Sequence, residues 1–204
     1  MNELMKALNF RHACKAFNEA KTIPTEALND ILEAGRLAPS WMGMQPWHFL
    51  VVQKQELKAA LSAACNNQKH IVSCSHFVVL LARKPEHFER GSAFLNEMLG
   101  GGKVPPERVE FVYTMLGSLP DKLNWAKMQT YLAAAQMMIA AASLGIDSCP
   151  IAANPAAEAE AIAKLAPSFP IADFEPALNV ALGYRANDQP PKMRLTREKI
   201  VTFV

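Results

Sequence analysis

Trp47-His48-Phe49-Leu50-Val51-Val52 reads as a buried β-strand. Entered from Pro46, it is rich in aromatic and β-branched side chains, as a strand covered on both faces must be. Two further runs share this character: His76 to Ala82, and Ala177 to Gly183 with its Leu-Asn-Val-Ala-Leu centre. Asp147 to Pro150 can add a short fourth strand. Helical signals separate the runs. Pro24-Thr25-Glu26 opens an amphipathic helix whose Leu28, Ile31, Leu32 and Leu37 recur at helical spacing until Pro39 stops it. Gln55 to about Ala64 predicts a second helix and Pro155 to Ala163 a short one. Lys122 to Leu144 predicts a long one, apolar on nearly every side from Tyr131 and capped by a left-handed Gly145. Between Pro85 and Asp121 the signals weaken to helical stretches over Phe88–Met98 and Arg108–Leu116, around Gly100-Gly101-Gly102. The layout is α+β, with about four strands flanked by helices.

A chain of 204 residues, half of them apolar, can close a sizeable core without disulfides or metal, and no linker-like stretch divides it. One domain, residues 1–204, is the expectation. The 21 basic and 19 acidic residues give a formal charge of +2 and are scattered, which argues against a nucleic-acid surface or a polybasic membrane patch. The most apolar segment, Tyr131 to Leu144, falls short of the ~20 residues of a membrane span. Met1-Asn2-Glu3-Leu4-Met5-Lys6 lacks the apolar run of a signal peptide, so a cytoplasmic location is expected. Ile200-Val201-Thr202-Phe203-Val204 is strand-prone and follows a polar, proline-rich loop over 185–192. Such a tail is a candidate for pairing with the sheet edge of another subunit.

Cys14, Cys65, Cys74 and Cys149 are widely spaced and read as reduced thiols. Cys65, His70, Cys74 and His76 form a loose cluster, but its spacing is irregular and His76 opens a strand, so no metal site is expected. No G-x-G-x-x-G follows a strand, and Walker and G-x-S-x-G patterns are missing, which speaks against a Rossmann site, a P-loop and a hydrolase elbow. What remains is a set of basic residues at both ends of the chain: Arg11, His12 and Lys15, then Lys192 and Arg194. A phosphomonoester is the natural partner of guanidinium forks and ammonium groups. On spacing alone, ordinary solvated charges is the simpler reading.

The order of motifs adds to this. Arg11-His12-Ala13-Cys14-Lys15-Ala16-Phe17, Leu37-Ala38-Pro39-Ser40, Gln45 to Val52, Gly145 to Ile151, Gly183-Tyr184 and Pro191 to Leu195 together resemble the nitroreductase family of flavin enzymes. The likeness spans nearly the whole chain and is weakest between Pro85 and Asp121. It implies an α+β nitroreductase-like fold with a central, mostly antiparallel sheet, and a homodimer that exchanges its C-terminal strand. It also implies one FMN per site at the subunit interface. Arg11, His12, Lys192 and Arg194 would serve the flavin phosphate and ribityl chain, with Ala13 beside them. Lys15 would lie near flavin N1 and O2, where negative charge collects on reduction. Pro39, Ser40, Trp41 and Gly43 would reach the flavin from the partner subunit. Asn67, with Lys69 or His70, would meet the pyrimidine edge. Pro150, Ile151, Ala152 and Ala153 would present backbone amides to N5 and O4. Trp41, Met42 and Phe111 are candidates for the wall of the acceptor pocket.

The activity this resemblance implies is hydride transfer from NAD(P)H to flavin, then reduction of a nitroaromatic, quinone or similar small acceptor in a ping-pong cycle. No protein side chain need act as nucleophile or general base. A specialised enzyme of the same fold, such as an enone reductase or a dehalogenase, and a non-catalytic flavin-binding protein are the alternatives. The chain departs from the family pattern in three places. Many members carry Glu-Gly where Ala152-Ala153 stand, Ser at position 13 and Asn near Gly43, so a drier pocket is expected.

Overall fold

The computed structural model describes residues 1–204. Strands β1 (Trp47–Val52), β2 (His76–Arg83), β3 (Asp147–Ile151) and β4 (Phe174–Gly183) form one antiparallel sheet in the order β1-β2-β4-β3. The inner strands explain the unbroken apolar runs. Successive side chains of a strand point to opposite faces, and here both faces are covered. Phe77, Val79, Leu81 and Ala181 pack on one face with helices α3 (Gln55–Ala64) and α8 (Pro155–Leu165) through Leu57, Leu61 and Ile162. Val78, Leu80, Val180 and Leu182 pack on the other with α2 (Thr25–Arg36) and α7 (Lys122–Ser143) through Ile31, Ala134, Met137 and Ala141. Gly35 lets α2 lie tightly on α7, since a β-carbon there would meet Met137 Cγ at 2.8 Å.

The segment between β2 and α7 folds as a helical excursion with its own core. It holds a 3-10 turn over Pro85–Phe88, α5 (Ala93–Met98), a turn over Gly100–Gly102 and α6 (Pro106–Gly117). Phe88, Phe94, Leu95, Val112 and Leu116 gather there around Trp125 of α7.

In the single chain the C-terminal tail lies unpaired, and two expectations, the strand bounds and the helix count, need correction. Residues 200–204 form no strand: a 3-10 turn over Arg197–Lys199 leads into an extended tail whose Ile200 and Phe203 are exposed. Both edges of the sheet lie elsewhere, and nothing in one chain offers this tail a ladder. α7 is apolar on its open side too, where Met128, Tyr131 and Leu132 stand exposed in the single chain. β3 runs one residue further than predicted, to Ile151, and β4 starts three residues earlier, at Phe174. Two helices were missed: α1 (Glu3–Phe10), capped by the Asn2 side chain accepting from Met5 N–H at 2.9 Å, and the five-residue α4 (Lys69–Ser73). No helix is long and apolar enough to cross a membrane.

Candidate active site

The outer edge of β3 is where the chain ends converge. Ala13 bridges Ser148 in parallel, and the Cys14 N–H donates to the Ser148 carbonyl at 3.1 Å. On the other side of this segment, Asn18 N–H donates to the Tyr184 carbonyl at 2.8 Å and Ala186 N–H to the Ala16 carbonyl at 2.9 Å. Residues 13–18 are thus threaded between β3 and the segment leaving β4. Pro150 has no N–H to give a ladder and is tolerated because β3 is an edge strand.

Asp147, 3% exposed, clasps this region together. It accepts from the Arg185 backbone N–H at 2.9 Å and from Nε at 2.8 Å, and pairs with Nη2 at 2.6 Å. The same guanidinium lies 4.2 Å from the centroid of the Phe10 ring. A carboxylate so deep requires such a partner. Arg185 is therefore a site-building residue that the sequence did not single out; the signal was an aspartate opening a buried strand. His12 Nδ1 sits 3.5 Å from Asp147 Oδ1 without a hydrogen bond. Burial first, then Arg185, holds this imidazole below its ordinary range. His12, Cys14 and Asp147 bring ligand-type atoms within 4.8 Å of one another, but Asp147 is committed to Arg185 and the Cys14 thiol donates to the Ala16 carbonyl at 3.2 Å. The looser cluster considered from sequence is split: Cys65 faces Glu158, and Cys74 donates to the Ile71 carbonyl at 3.1 Å.

Beyond the clasp, basic residues of the two chain ends meet. The Lys192 ammonium donates to the Arg11 carbonyl. Burial first, then Arg11, Arg194 and Arg185, pushes the Lys192 amine below its usual range, and no acidic group is among these influences. The charges of Arg11 and Arg194, from opposite ends of the chain, thus both act on one ammonium. A cleft of about 230 Å³ lies between residues 12–16 and Asn187, Asp188 and Pro190, with Asp188 its one acidic lining residue. Lys15 continues the row along β3, its Nζ 3.2 Å from Cys149 Sγ. On α4, His70 Nε2 is buried without a partner, and burial followed by the Lys15 charge lowers the imidazole pKa. Asn67 lies in the turn that delivers His70, its own φ at 55°. Pro150 and Ile151 extend the row, and Ala152 and Ala153 end it at the turn before α8.

The remaining predicted residues are elsewhere. Pro39 to Gly43 precede β1, at the end of the sheet where Trp47 pairs with Ala82 and Ala82 with Glu175. Cys149 pairs with Ala181, six residues further along β4, which is roughly 20 Å at 3.3 Å per residue. One chain does not bring this loop to its own cations. The loop is nonetheless well fixed, with φ of 54° at Met42, 69° at Gly43 and 45° at Gln45. Trp41 N–H donates to Gln129 Oε1 at 2.8 Å and Gln45 N–H to Ser40 Oγ at 2.9 Å. Trp41 and Met42 pack on the excursion's core. Phe111 is exposed on α6, also remote from β3.

The chain is an α+β protein with basic residues along an edge strand and a fixed loop at the opposite end of its sheet. Comparison with known proteins makes the assignment specific. Residues 8–184 match the Nitroreductase family, and the chain belongs to that family. It is 35% identical to a candidate NAD(P)H nitroreductase of Staphylococcus saprophyticus, over 98% of this chain and 96% of the relative. It is 34% identical to the candidate NAD(P)H nitroreductase YfkO of Bacillus subtilis, over 99% and 97%. A crystal structure of a nitroreductase-type protein from Exiguobacterium sibiricum in complex with FMN shares the fold at a TM-score of 0.80, with 23% identity and coverage of 100% and 98%.

Proposed function

We propose that the protein is an FMN-dependent oxidoreductase taking hydride from NAD(P)H and reducing small organic acceptors such as nitroaromatics or quinones, in a cytoplasmic homodimer. The observation that carries this reading is the Lys192 ammonium donating to the Arg11 carbonyl, which joins the basic residues of the two chain ends. Three buried polar atoms along the same edge, His12 Nδ1, Ser148 Oγ and His70 Nε2, are also unpartnered. Cations and orphaned polar groups of this kind suit a phosphate monoester and the polar flank of a flavin.

In this reading Arg11, His12, Lys192 and Arg194, beside Ala13, hold the phosphate and ribityl chain. Lys15 and His70, with Asn67, meet the pyrimidine edge, and the backbone of Pro150 to Ala153 faces the ring's reactive centre. FMN, when bound, supplies the chemistry, accepting hydride and giving two electrons to the acceptor in alternating half-reactions. The chain's residues bind, orient and exclude water. Ala152 and Ala153 offer no side-chain polarity, which makes the ring's surroundings apolar.

The partner subunit supplies the rest. The cleft of about 230 Å³ beside residues 12–16 is smaller than the roughly 300 Å³ at which small-molecule pockets begin. The loop Pro39, Ser40, Trp41, Met42 and Gly43 lies too far from its own cations to close it and suits the site of a second copy, with Phe111 as a further wall residue. The exposed Leu4, Met5 and Leu8 of α1 and Met128, Tyr131 and Leu132 of α7 give two packed helices the apolar surface of a subunit interface. The exposed tail 200–204 would complete a partner's sheet.

The test is a visible spectrum of the purified protein with FMN, before and after anaerobic NADPH or NADH. Flavin absorbance that bleaches, and returns when a nitroaromatic or quinone is added, is the expected result. Bound flavin that never bleaches would make the protein a carrier, and no flavin uptake would remove the reading.

A further inference from the structure

Lys15 has an unusual set of neighbours for a lysine at a binding site. Its Nζ donates to the Cys149 thiol at 3.2 Å, across 134 residues of sequence, and it makes no ion pair with a carboxylate. The backbone fixes both partners. The Ala13–Ser148 bridge and the Cys14 N–H on the Ser148 carbonyl hold residues 13–15 against β3 one step from Cys149. Cys149 is fully buried on β3, between Ser148 and Pro150, so its sulfur cannot move away. Burial outweighs the opposing pull of Lys15 and Arg11 and raises the Cys149 pKa, which keeps the thiol neutral. A neutral sulfur is a weak acceptor and uses one of three ammonium donors. It orients the cation without cancelling it, as a carboxylate would. His70, whose imidazole feels the Lys15 charge, is buried with its Nε2 unpartnered.

We propose that Cys149 is a positioning residue that aims the Lys15 ammonium at the pyrimidine edge of the flavin, making reduction of the bound flavin more favourable. The inference rests on the FMN reading above. Negative charge gathers at that edge on reduction, and a preoriented cation in a site that excludes water stabilises it more than a mobile one does. Cys149 touches neither cofactor nor acceptor in this scheme; it acts through Lys15.

The experiment compares the wild type, Cys149→Ala, Cys149→Ser, Lys15→Gln and the Lys15→Gln/Cys149→Ala double variant. Affinity for oxidised FMN is read by fluorescence quenching, and the midpoint potential of the bound flavin by equilibration with a reference dye. Cys149→Ala removes one buried atom and Lys15→Gln changes an exposed side chain, so either one reports if the other is poorly folded. The expected result for Cys149→Ala is oxidised-FMN affinity within about threefold of wild type. Its preference for reduced over oxidised flavin should fall about tenfold, a potential lower by about 30 mV for a two-electron couple. Cys149→Ser, whose hydroxyl can accept from the ammonium, recovers most of the loss. In the Lys15→Gln background the alanine change adds nothing. An unshifted potential in Cys149→Ala, or an equal shift with Lys15 already removed, overturns the proposal while leaving FMN binding intact. A wild type that takes up no FMN overturns the parent reading and this one with it.

Discussion

Lys192 donates its ammonium to the backbone carbonyl of Arg11 across 181 residues of chain. This contact turns two unremarkable basic stretches into one surface. Because the ammonium is spent on a carbonyl and crowded by guanidinium groups, the cluster is a place where an anion relieves repulsion.

Removing either guanidinium should therefore weaken FMN retention. A charge-assisted hydrogen bond contributes about 1.5–3 kcal/mol, so Arg11→Ala and Arg194→Ala are each expected to raise the FMN dissociation constant between roughly tenfold and a hundredfold. Fluorescence titration measures this, and raising the salt concentration should shrink the gap from wild type. Wild-type affinity in both variants would dissolve the phosphate assignment.

A second expectation concerns stability and pH. Glu158 is buried on α8 and takes a hydrogen bond from Asn179 Nδ2 at 2.5 Å; burial raises its carboxyl pKa, outweighing Asn179 and Cys65. A carboxyl with a raised folded-state pKa stabilises fully below its unfolded pKa, and that stability is lost as pH rises toward the folded value. Between about pH 4.5 and the folded value, wild type should lose up to about 1.4 kcal/mol per pH unit relative to Glu158→Gln. Denaturant midpoints of the two proteins from pH 4 to 8 test it. A constant difference over that range would show that Glu158 does not titrate out of register with the unfolded chain.

Gly183 ends β4 beside the clasp, and a β-carbon there would stand 2.7 Å from Phe17 Cδ1 and 3.3 Å from the Ser75 backbone nitrogen. Phe17 is buried and cannot swing clear. Gly183→Ala should cost about 1–3 kcal/mol by overpacking, visible as a lower urea midpoint with an unchanged slope. A variant as stable as wild type would mean that this corner yields more readily than its contacts suggest.

The exposed face of α7 offers a check on assembly. Leu132→Glu places a charge in the middle of Met128, Tyr131 and Leu132 and should convert a dimer to monomer in sedimentation experiments. Flavin uptake should fall with it. A monomeric wild type, or a variant that stays dimeric, would shift the interface away from this helix.

Much of the fold could be read from the chain because both faces of β2 and β4 are buried, so residues 77–82 and 177–183 had to be apolar apart from Asn179, which is bonded to Glu158. The same burial of Asp147 should have demanded a cation, yet the partner, Arg185, lies 38 residues away, and no local pattern announces it. α1 went unseen because only Ala7 of its eight residues is buried, leaving no apolar period to detect. α4 is a five-residue helix, too short for periodicity, and it carries His70 to the site. The basic residues were nameable from motif order, but their meeting point depends on β3 and the segment after β4 running side by side. The tail at 200–204 has strand-forming side chains but no ladder within its own chain, since strand propensity records a suitable surface and not a partner.

The loop at 39–43 and the cations at 11–15 lie at opposite ends of the same sheet, and this sets a rule of inheritance for mixed assemblies. On the proposed reading, each pocket of a two-fold dimer would draw its anion grip from one copy and its lid from the other. A chain crippled at Arg11 and a chain crippled at Trp41 should thus rescue each other when co-expressed. Every hybrid would own one pocket with both lesions and one with none, giving half the wild-type flavin per dimer from two parents that separately bind little.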